Sequence, residues 1–460
     1  MNNWQGKHAI VVGAARQGLA ATRFFARQGA RVTLTDKQPE SALGHVKPMF
    51  QGLPVEFAFG GHPLEMLDGA DVLCLSGGVP LTLPLVSEAE KRDIPITNDS
   101  QIFMESVKAK VIGITGSAGK TTTTMLTGAV AKAAMEPCVK VWVGGNIGMP
   151  MIDHLEEIDP EDWVVLELSS FQLDQMTISP QIAVILNITP NHLDRHRTMK
   201  AYTETKARIL GFQDSNGIAI LNREDSGAIG LKDRVNGRLI TFGFSKSDSS
   251  EPAVFIQNDF ICFTDGNLIE KLAPLDSLKL PGRHNLANAM AACAVGAAMG
   301  FDPRAMQEGI ESVTGVPHRL ELIRDKDGIC WYNDSIATAP ERVMAAIQAI
   351  NSPLVLLLGG RDKDLPWNVL AKTLHEINPK VILFGEAADL IQNALQVYEK
   401  GKPPYPVWKV NTLSEAVHQA SKAAVPGESV LLSPGGTSFD AYKDFEARGE
   451  HFRQLVEELA

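Results

Sequence analysis

The sequence has little cysteine, no excess of positive charge and no long apolar segment, and each shortage excludes a class of protein. Its five cysteines are scattered without the spacing of a metal site, so they predict reduced, mostly buried thiols. The net charge of −11 argues against a nucleic-acid partner and against binding to an anionic membrane surface. No apolar run reaches membrane-spanning length, and the first residues lack a signal-peptide pattern. We therefore expect a soluble, cytoplasmic protein that binds neither nucleic acid nor membranes.

What the sequence does have is length and a repeated alternation of apolar strands and helices. A chain of 460 residues is too long for one core, and roughly two to four domains are expected. Continuous apolar runs such as 163–168 and 182–188 are typical of parallel strands buried on both faces. The pattern predicts three α/β domains: a Rossmann-like domain over 1–99, a P-loop-type mononucleotide-binding domain over 100–315 and a second Rossmann-like domain over 316–460.

The central predicted domain begins with a glycine loop between a strand and a helix. A β-branched apolar run ends at Thr115, and Gly116-Ser117-Ala118-Gly119-Lys120-Thr121 opens the helix. Backbone N–H groups at a helix N-terminus bind phosphate, the lysine adds a charge, and the threonine hydroxyl can ligate Mg²⁺. The strict P-loop spacing is not met because position 114 is Ile. On this motif alone, a glycine-rich turn without a ligand is the alternative.

Two further strand ends in the central domain carry polar residues. Glu167 lies near the end of the run 163–168, and His192 follows the run 182–188. Because parallel strands place their carboxyl ends at one edge of the sheet, we expect Lys120, Glu167 and His192 to converge. Taken singly, Glu167 could be an exposed strand-end acid and His192 a turn cap. Together with the glycine loop they favour a nucleotide site.

The N-terminal segment begins like a dinucleotide-binding domain. A strand over 8–13 leads into a predicted turn at 14–18 and a helix over 20–28, and a second strand ends at Asp36. Ala15 stands where the middle glycine of the dinucleotide fingerprint would be, which disfavours NAD. A nucleotide-diphosphate site of another kind and a plain α/β unit both stay open.

Motifs from all three predicted domains resemble those of the Mur ligases, in the family's order. They are T-G-S-A-G-K-T-T-T from 115, G-G-N-I-G from 144, E-L-S-S-F-Q-L from 167, N-I-T-P-N-H-L-D-R-H from 187, G-R-H-N-L-A-N from 282, P-H-R-L-E from 317, N-D-S-x-A-T from 333 and S-P-G-G-T-S-F-D from 433. Residues 439–440 and 444–449 are most similar to the members that add D-glutamate to UDP-N-acetylmuramoyl-L-alanine. The resemblance implies ATP-dependent amide ligation through an acyl phosphate, two Mg²⁺ ions and a monomeric chain.

The resemblance also implies roles for individual residues. The residues expected to bind ATP are Gly116, Ser117, Ala118, Gly119, Lys120, Thr121, Thr122, Asn288, Arg319 and Asp334. Thr121 and Glu167 would ligate the first Mg²⁺, and His192 and Lys206 would ligate the second. The expected catalytic residues are Lys120, Glu167, His192 and Lys206. Lys206 lies in a helix predicted over 198–210, and this lysine is carbamylated in the family, which gives an anionic oxygen ligand. A solvated helix lysine is the simpler alternative.

The other two substrates have their own expected contacts. Those of the UDP-linked substrate are Arg16, Gln17, Asp36, Lys37, Gly78, Asn146 and His192, and those of the incoming glutamate are Thr338, Lys363, Ser438, Phe439 and Phe445. One departure stands out, because Ile336 replaces the lysine of the family's N-D-S-K-A-T and so removes a cation near the amino acid. Either Arg361 substitutes for it, or the glutamate is bound differently, which includes a preference for L-glutamate.

Three other functions are weaker alternatives. Another ligase of the superfamily, such as a folylpolyglutamate-synthase-like enzyme, is disfavoured because that group lacks an N-terminal domain of the kind predicted over 1–99. A nicotinamide-dependent oxidoreductase is disfavoured by Ala15. A regulatory P-loop ATPase would not need the second metal site predicted at His192 and Lys206 beside Glu167.

Overall fold

The computed structural model describes residues 3–146, 148–191, 193–246, 250–363, 365–398 and 403–459. The chain divides into two units, Met1–Thr314 and Gly315–Ala460. The described part of the first unit contains two β-sheets and that of the second contains one, and helices connect most of the strands, which confirms the predicted α/β class. Among the described residues, no helix is both long enough and apolar enough to span a membrane. All five cysteines are free thiols, of which three are buried.

The first sheet has five parallel strands in the order β3-β2-β1-β4-β5. These strands are β1 (His8–Val12), β2 (Arg31–Asp36), β3 (Val55–Phe59), β4 (Val72–Leu75) and β5 (Ile96–Thr97), and the helices of this region are α1 (Arg16–Arg27), α2 (Glu40–Leu43), α3 (Pro84–Lys91) and α4 (Asp99–Ser106). The strand order reverses between β1 and β4, which creates a crevice at their carboxyl ends.

Helix α1 begins earlier than the sequence predicted. The turn expected at 14–18 is wrong in extent, since Arg16 is already helical and the helix ends at Arg27. Gly18 permits this because a Cβ at that position would lie only 1.8 Å from Gly13 O, so only glycine lets the first turn of α1 pack this closely on the loop after β1.

The second sheet has nine strands in the order β14-β13-β12-β11-β10-β9-β6-β8-β7. They are β6 (Lys110–Thr115), β7 (Val141–Gly145), β8 (Trp163–Glu167), β9 (Ile182–Ile185), β10 (Ile218–Asn222), β11 (Arg238–Phe242), β12 (Ala253–Gln257), β13 (Phe260–Thr264) and β14 (Ile269–Pro274). The helices are α5 (Lys120–Ala134), α6 (Ser170–Leu173), α7 (Leu193–His196), α8 (Met199–Gly211), α9 (Ser226–Ile229), α10 (Arg283–Met299) and α11 (Pro303–Ser312). Strands β6 to β12 are parallel, whereas β13 runs antiparallel to both of its neighbours, β12 and β14.

The parallel strands β9, β6 and β8 are neighbours, as the convergence argument requires. Ile114 lies opposite both Glu167 on β8 and Val184 on β9, so the three strands end at one edge. The strand predicted over 182–188 ends at Ile185, because the residues after Leu186 leave the ladder to contact the glycine loop.

The third sheet has six strands in the order β15-β16-β20-β17-β18-β19. They are β15 (Glu321–Lys326), β16 (Ile329–Asn333), β17 (Leu354–Gly359), β18 (Lys380–Phe384), β19 (Val407–Lys409) and β20 (Ser429–Gly435), with helices α12 (Pro340–Ala349), α13 (Asn368–Ile377), α14 (Ala388–Tyr398), α15 (Leu413–Ala423) and α16 (Phe445–Glu457). Only β15 is antiparallel to its neighbour. Strands β16, β20 and β17 therefore end side by side, and the polar segments that follow them meet at one edge.

Candidate active site

The glycine loop, residues 116–119, connects β6 to α5. Gly119 precedes the first residue of α5 with φ of +84°, a left-handed conformation that favours glycine. A Cβ at Gly119 would lie 2.5 Å from Asn288 Oδ1, so the structure brings this distant predicted ATP residue against the loop. The amides in the first turn of α5 have no intrahelical partner and are available to phosphate oxygens.

Asn187 fixes the glycine loop from the segment after β9. Ala118 N donates to Asn187 Oδ1 at 2.8 Å, and Asn187 Nδ2 donates back to Ala118 O at 3.0 Å. Ser117 N donates to Asn187 O at 2.9 Å, and Ser117 Oγ donates to Thr189 O at the same distance. Sequence reasoning gave Asn187 no role, although it opens the motif N-I-T-P-N-H. Its bonds set the shape of the loop before any ligand binds.

Glu167 joins two other predicted residues at the end of β8. Thr121 Oγ1 donates to Glu167 Oε2 at 2.9 Å, and Asn146 Nδ2 donates to Oε1 at 2.9 Å. Glu167 is 1% exposed, so its carboxylate is held among protein atoms. A carboxylate oxygen beside a threonine hydroxyl is a hard oxygen pair that fits Mg²⁺. In the described part of the chain no group of three or more His, Cys, Asp or Glu side chains is arranged to hold a metal ion by itself.

Lys206 is buried beside the glycine loop. Its Nζ donates to Gly116 O at 3.0 Å, and the residue is 1% exposed, so the solvated-lysine alternative is wrong. Burial, together with the charge of Lys120, lowers the pKa of Lys206 to about 7, although the charge of Glu167 opposes the shift. In a substantial fraction of the molecules, Lys206 is therefore a neutral amine near pH 7.

Lys120 lies with its ammonium folded onto the same loop. Its Nζ donates to Gly116 O at 3.0 Å and to Ser117 O at 3.4 Å. Both acceptors are neutral carbonyls, so a phosphate oxygen would be a stronger partner for this charge. Thr122 is buried in the first turn of α5, next to these groups in sequence.

Tyr202 and His196 were missed by sequence reasoning. His192 itself lies outside the described residues. Tyr202 Oη is hydrogen-bonded to Ser117 Oγ at 3.1 Å, and its ring lies 4.8 Å from Lys206 Nζ. His196 Nε2 is hydrogen-bonded to Ser170 Oγ at 3.0 Å. The available signal for His196 was its place at the end of the motif N-I-T-P-N-H-L-D-R-H.

The predicted uridine-diphosphate residues of the N-terminal region lie at or after the carboxyl ends of β1, β2 and β4. Ala14 N donates to Asp36 Oδ2 at 2.7 Å, and Gly77 N donates to Gln17 Oε1 at 3.2 Å. Their neighbours Arg16, Lys37 and Gly78 lie on the same loops and helix start. Asn146 is apart from this group, since it contacts Glu167 on the second sheet.

In the second unit, Asp334 is a buried carboxylate directly after β16. Ser433 Oγ donates to Asp334 Oδ2 at 2.8 Å, and Leu320 N donates to Oδ1 at 3.2 Å. Burial raises the pKa of Asp334 to about 6, and the charge of Arg319 acts in the opposite direction. The two ATP residues predicted in this unit are therefore electrostatic neighbours.

The predicted glutamate residues lie on the segments that follow β16, β17 and β20. Lys363 Nζ donates to Thr338 Oγ1 at 3.4 Å. Ser438 is buried, whereas the next residue, Phe439, is 59% exposed and so accessible to a ligand. Phe445 begins α16 and accepts a hydrogen bond at its backbone oxygen from Ser335 Oγ at 2.8 Å.

Arg448 is a further residue that the sequence did not single out. It is 0% exposed, and burial lowers its pKa to about 10. Its guanidinium donates to Ser335 O at 2.9 Å, to Ser335 Oγ at 3.0 Å and to Gly436 O at 3.2 Å. These bonds connect the segment after β16 to the segment after β20, which carry Thr338 and Ser438.

Family models match three successive segments of the chain. The Mur ligase MurD-like N-terminal domain matches residues 7–98, the Mur ligase middle domain matches 114–296, and the Mur ligase glutamate ligase domain matches 318–436.

Two relatives share the full length of the chain. The UDP-N-acetylmuramoylalanine--D-glutamate ligase of Symbiobacterium thermophilum is 38% identical over 99% of this chain and 98% of its own. The protein of the same name from Pelotomaculum thermopropionicum is 36% identical over 99% and 98%. The solved structure of UDP-N-acetylmuramate-alanine ligase MurC from Thermotoga maritima has the same fold, with a TM-score of 0.55 and 21% identity over 98% of this chain and 99% of that one. As the order of the motifs predicted, the chain belongs to the Mur ligase family.

Proposed function

We propose that the protein is an ATP-dependent ligase that adds D-glutamate to UDP-N-acetylmuramoyl-L-alanine in the synthesis of peptidoglycan precursors. The observation that carries this proposal is the assembly of Thr121, Glu167 and Lys206 around one glycine loop. The choice of substrates is supported by the two full-length relatives, whose names state this activity.

The glycine loop is suited to hold the phosphates of ATP. Its shape is set by Asn187, and the first amides of α5 and Lys120 provide donors for the phosphate oxygens. Thr121 and Glu167 would hold the first Mg²⁺. When bound, this ion supplies positive charge that stabilises the phosphoryl group during transfer.

Lys206 is proposed to act as a carbamate that, with His192, holds a second Mg²⁺. Its buried position and its pKa of about 7 support this, because a neutral amine is required to add CO₂. In that reaction the Nζ–C bond forms, one C=O bond of CO₂ becomes C–O⁻, and a proton leaves Nζ for solvent. The product is an anionic oxygen ligand where an ammonium would repel the ion.

The proposed reaction has two steps. The carboxylate of UDP-N-acetylmuramoyl-L-alanine takes the γ-phosphoryl group, which forms an acyl phosphate and releases ADP. The amine of D-glutamate then attacks the acyl carbon, an amide bond forms, and phosphate leaves with a proton lost from the amine. Because anionic reactants must approach each other, cationic and backbone donors are needed at every site.

Each substrate has a proposed set of contacts in the described residues. The UDP-linked substrate contacts Arg16, Gln17, Asp36, Lys37, Gly78 and Asn146; ATP also contacts Asn288, Arg319 and Asp334; and the glutamate contacts Thr338, Lys363, Ser438, Phe439 and Phe445. We propose that the domains 1–99, 100–315 and 316–460 divide these tasks, and that the chain acts as a monomer in the cytoplasm.

The test is phosphate release with ATP, Mg²⁺ and UDP-N-acetylmuramoyl-L-alanine, comparing D-glutamate, L-glutamate and no amino acid. Release that depends on D-glutamate supports the proposal and shows that Ile336 is tolerated. Release with L-glutamate alone keeps the reaction and overturns the proposed amino acid. No release with either contradicts the proposed substrates.

A further inference from the structure

The loop after β16 lacks a cation because Ile336 replaces the family's lysine. Arg361 is not free to replace it. Arg361 Nε and Nη2 donate to the two carboxylate oxygens of Glu386 at 2.8 and 2.9 Å. A bidentate pair of this kind neutralises the guanidinium and fixes its direction, so the charge of Arg361 is already committed.

Arg342 is a cation that contacts Ile336, the residue that replaces the lysine. It is an exposed residue in the first turn of α12, and its Nη1 donates to Ile336 O at 3.2 Å. In the described part of the chain Arg342 forms no ion pair, and its charged neighbours are Arg319 and Asp334. Asp334 is bonded to Ser433 and to Leu320 N, so it does not pair directly with Arg342.

Lys363 is a second cation, on the segment after β17. It is exposed, and its Nζ contacts Thr338 Oγ1 at 3.4 Å. Desolvation and then the charges of Arg342 and Arg448 lower its pKa. Like Arg342, Lys363 forms no ion pair with any described residue.

The charge of Arg342 therefore acts on Lys363, and neither of these two exposed cations forms an ion pair with a described residue. The chain as a whole carries a net charge of −11, so this excess is local and not a result of basic composition. Like charges at this spacing repel each other, and a bound anion with two carboxylates would relieve the repulsion. A guanidinium binds one carboxylate through two parallel hydrogen bonds, whereas an ammonium binds the other as a point charge.

We propose that Arg342 takes the place of the missing lysine and that Arg342 and Lys363 each bind one carboxylate of the incoming glutamate. This inference rests on the proposed function and adds Arg342 as a residue that determines specificity for a dicarboxylic amino acid. With both carboxylates held, the glutamate amine is left unbound and can attack.

The experiment compares Arg342→Gln with Arg361→Gln in the full-length chain. The KM for D-glutamate is measured by phosphate release at saturating ATP and UDP-N-acetylmuramoyl-L-alanine, and the KM for each of those two is measured as an internal reference. We expect Arg342→Gln to raise the KM for D-glutamate about tenfold or more, since a charge-assisted bidentate pair is lost, and to leave the other two KM values within about twofold. Arg361→Gln should change the KM for D-glutamate by less than about twofold because its charge is already paired.

A rescue variant makes the test specific for charge. Ile336→Lys in the Arg342→Gln background should return the KM for D-glutamate at least halfway, on a logarithmic scale, to that of the unmodified chain. The inference is overturned if the KM for D-glutamate is unchanged in Arg342→Gln. It is also overturned if that KM is raised in Arg361→Gln but not in Arg342→Gln. If the unmodified chain shows no glutamate-dependent release, the proposed function fails and this inference fails with it, an outcome distinct from normal release with an unchanged variant.

Discussion

The two units hold their candidate ligand groups in different ways. The glycine loop of the first unit offers mainly backbone donors, and Asn187 and Lys206 fix it by hydrogen bonds from neighbouring elements. In the second unit a strand-end cluster, defined as Asp334, Arg342, Lys363 and Arg448, offers side-chain charge. None of its three cations forms an ion pair with a described residue. The first site therefore offers backbone donors in a fixed shape and the second offers side-chain charge, arrangements that suit phosphates and carboxylates respectively.

The largest expected effect is the loss of activity when a residue that holds the glycine loop is replaced. Lys206→Ala removes the bond to Gly116 O and the group that would become a carbamate. We expect kcat/KM for phosphate release to fall by about a thousandfold or more, because electrostatic groups at a phosphoryl-transfer site contribute on this scale.

Small carboxylates such as acetate should partly restore the Lys206→Ala variant by supplying the missing oxygen ligand. Lys200→Ala is the matched control, since Lys200 is exposed on the same helix α8 and should be replaceable without loss. Full activity of Lys206→Ala without added carboxylate would contradict the metal-ligand role.

The next effect is on stability and tests the strand-end cluster. Arg448→Lys keeps the charge but loses the planar fork that bonds Ser335 and Gly436. Buried acceptors left without donors should lower the free energy of unfolding of the second unit by about 2–4 kcal/mol. The measurement is the denaturant midpoint of the full chain, followed by a probe in that unit.

Arg453→Lys is the control for Arg448→Lys on the same helix α16. Arg453 pairs with Glu321 at a partly exposed position, so the loss should be about 1 kcal/mol or less. Equal losses in the two variants would show that Arg448 does not organise the cluster.

A smaller effect tests whether the shape of the glycine loop matters as such. Gly119→Ala introduces a methyl group at φ of +84° and within 2.5 Å of Asn288 Oδ1. The strain of about 1–2 kcal/mol for a left-handed alanine, with the displacement of Asn288, should raise the KM for ATP about tenfold to a hundredfold. Gly211→Ala is the control because nothing lies within 4 Å of its Cβ position. A similar KM in both variants would show that the loop adapts.

Sequence reasoning was most successful where a local pattern determines a local structure. Glycine after an apolar strand and before a helix predicted the loop at 116–119. Parallel-strand geometry predicted that Glu167 would lie at the same sheet edge as this loop, and there it contacts Thr121. It failed where packing decides. Helix α1 begins at Arg16 because Gly18 packs against Gly13 O, a contact that the residue spacing does not show.

The supporting residues of both sites were beyond sequence reasoning for a related reason. Asn187 and Tyr202 act on the glycine loop from other elements, and a polar residue in a motif does not reveal which of its neighbours it will bond. The sequence does not show which of Arg342 and Arg361 is available to replace the lysine, because only the structure shows that Arg361 is paired with Glu386. The residues of the glycine loop could therefore be predicted from the sequence, whereas the residues that hold the loop in place could not.

The smallest expected effect uses pH to separate the charge of Asp334 from its shape. Burial raises its pKa from 3.8 to about 6, so the folded form binds this proton more tightly than the unfolded chain does. Its contribution to stability is full below about pH 4 and is lost as the pH rises through about 6.

Ionised Asp334 can accept hydrogen bonds from ribose hydroxyls, so the KM for ATP should fall about threefold to tenfold between pH 5 and pH 7. Asp334→Asn keeps the shape but cannot titrate. Its KM for ATP should stay high across that range, and its stability relative to the unmodified chain should rise from pH 5 to pH 7. Because ATP titrates identically with both proteins, a parallel pH dependence of the two KM values would show that the ionised carboxylate does not bind the nucleotide.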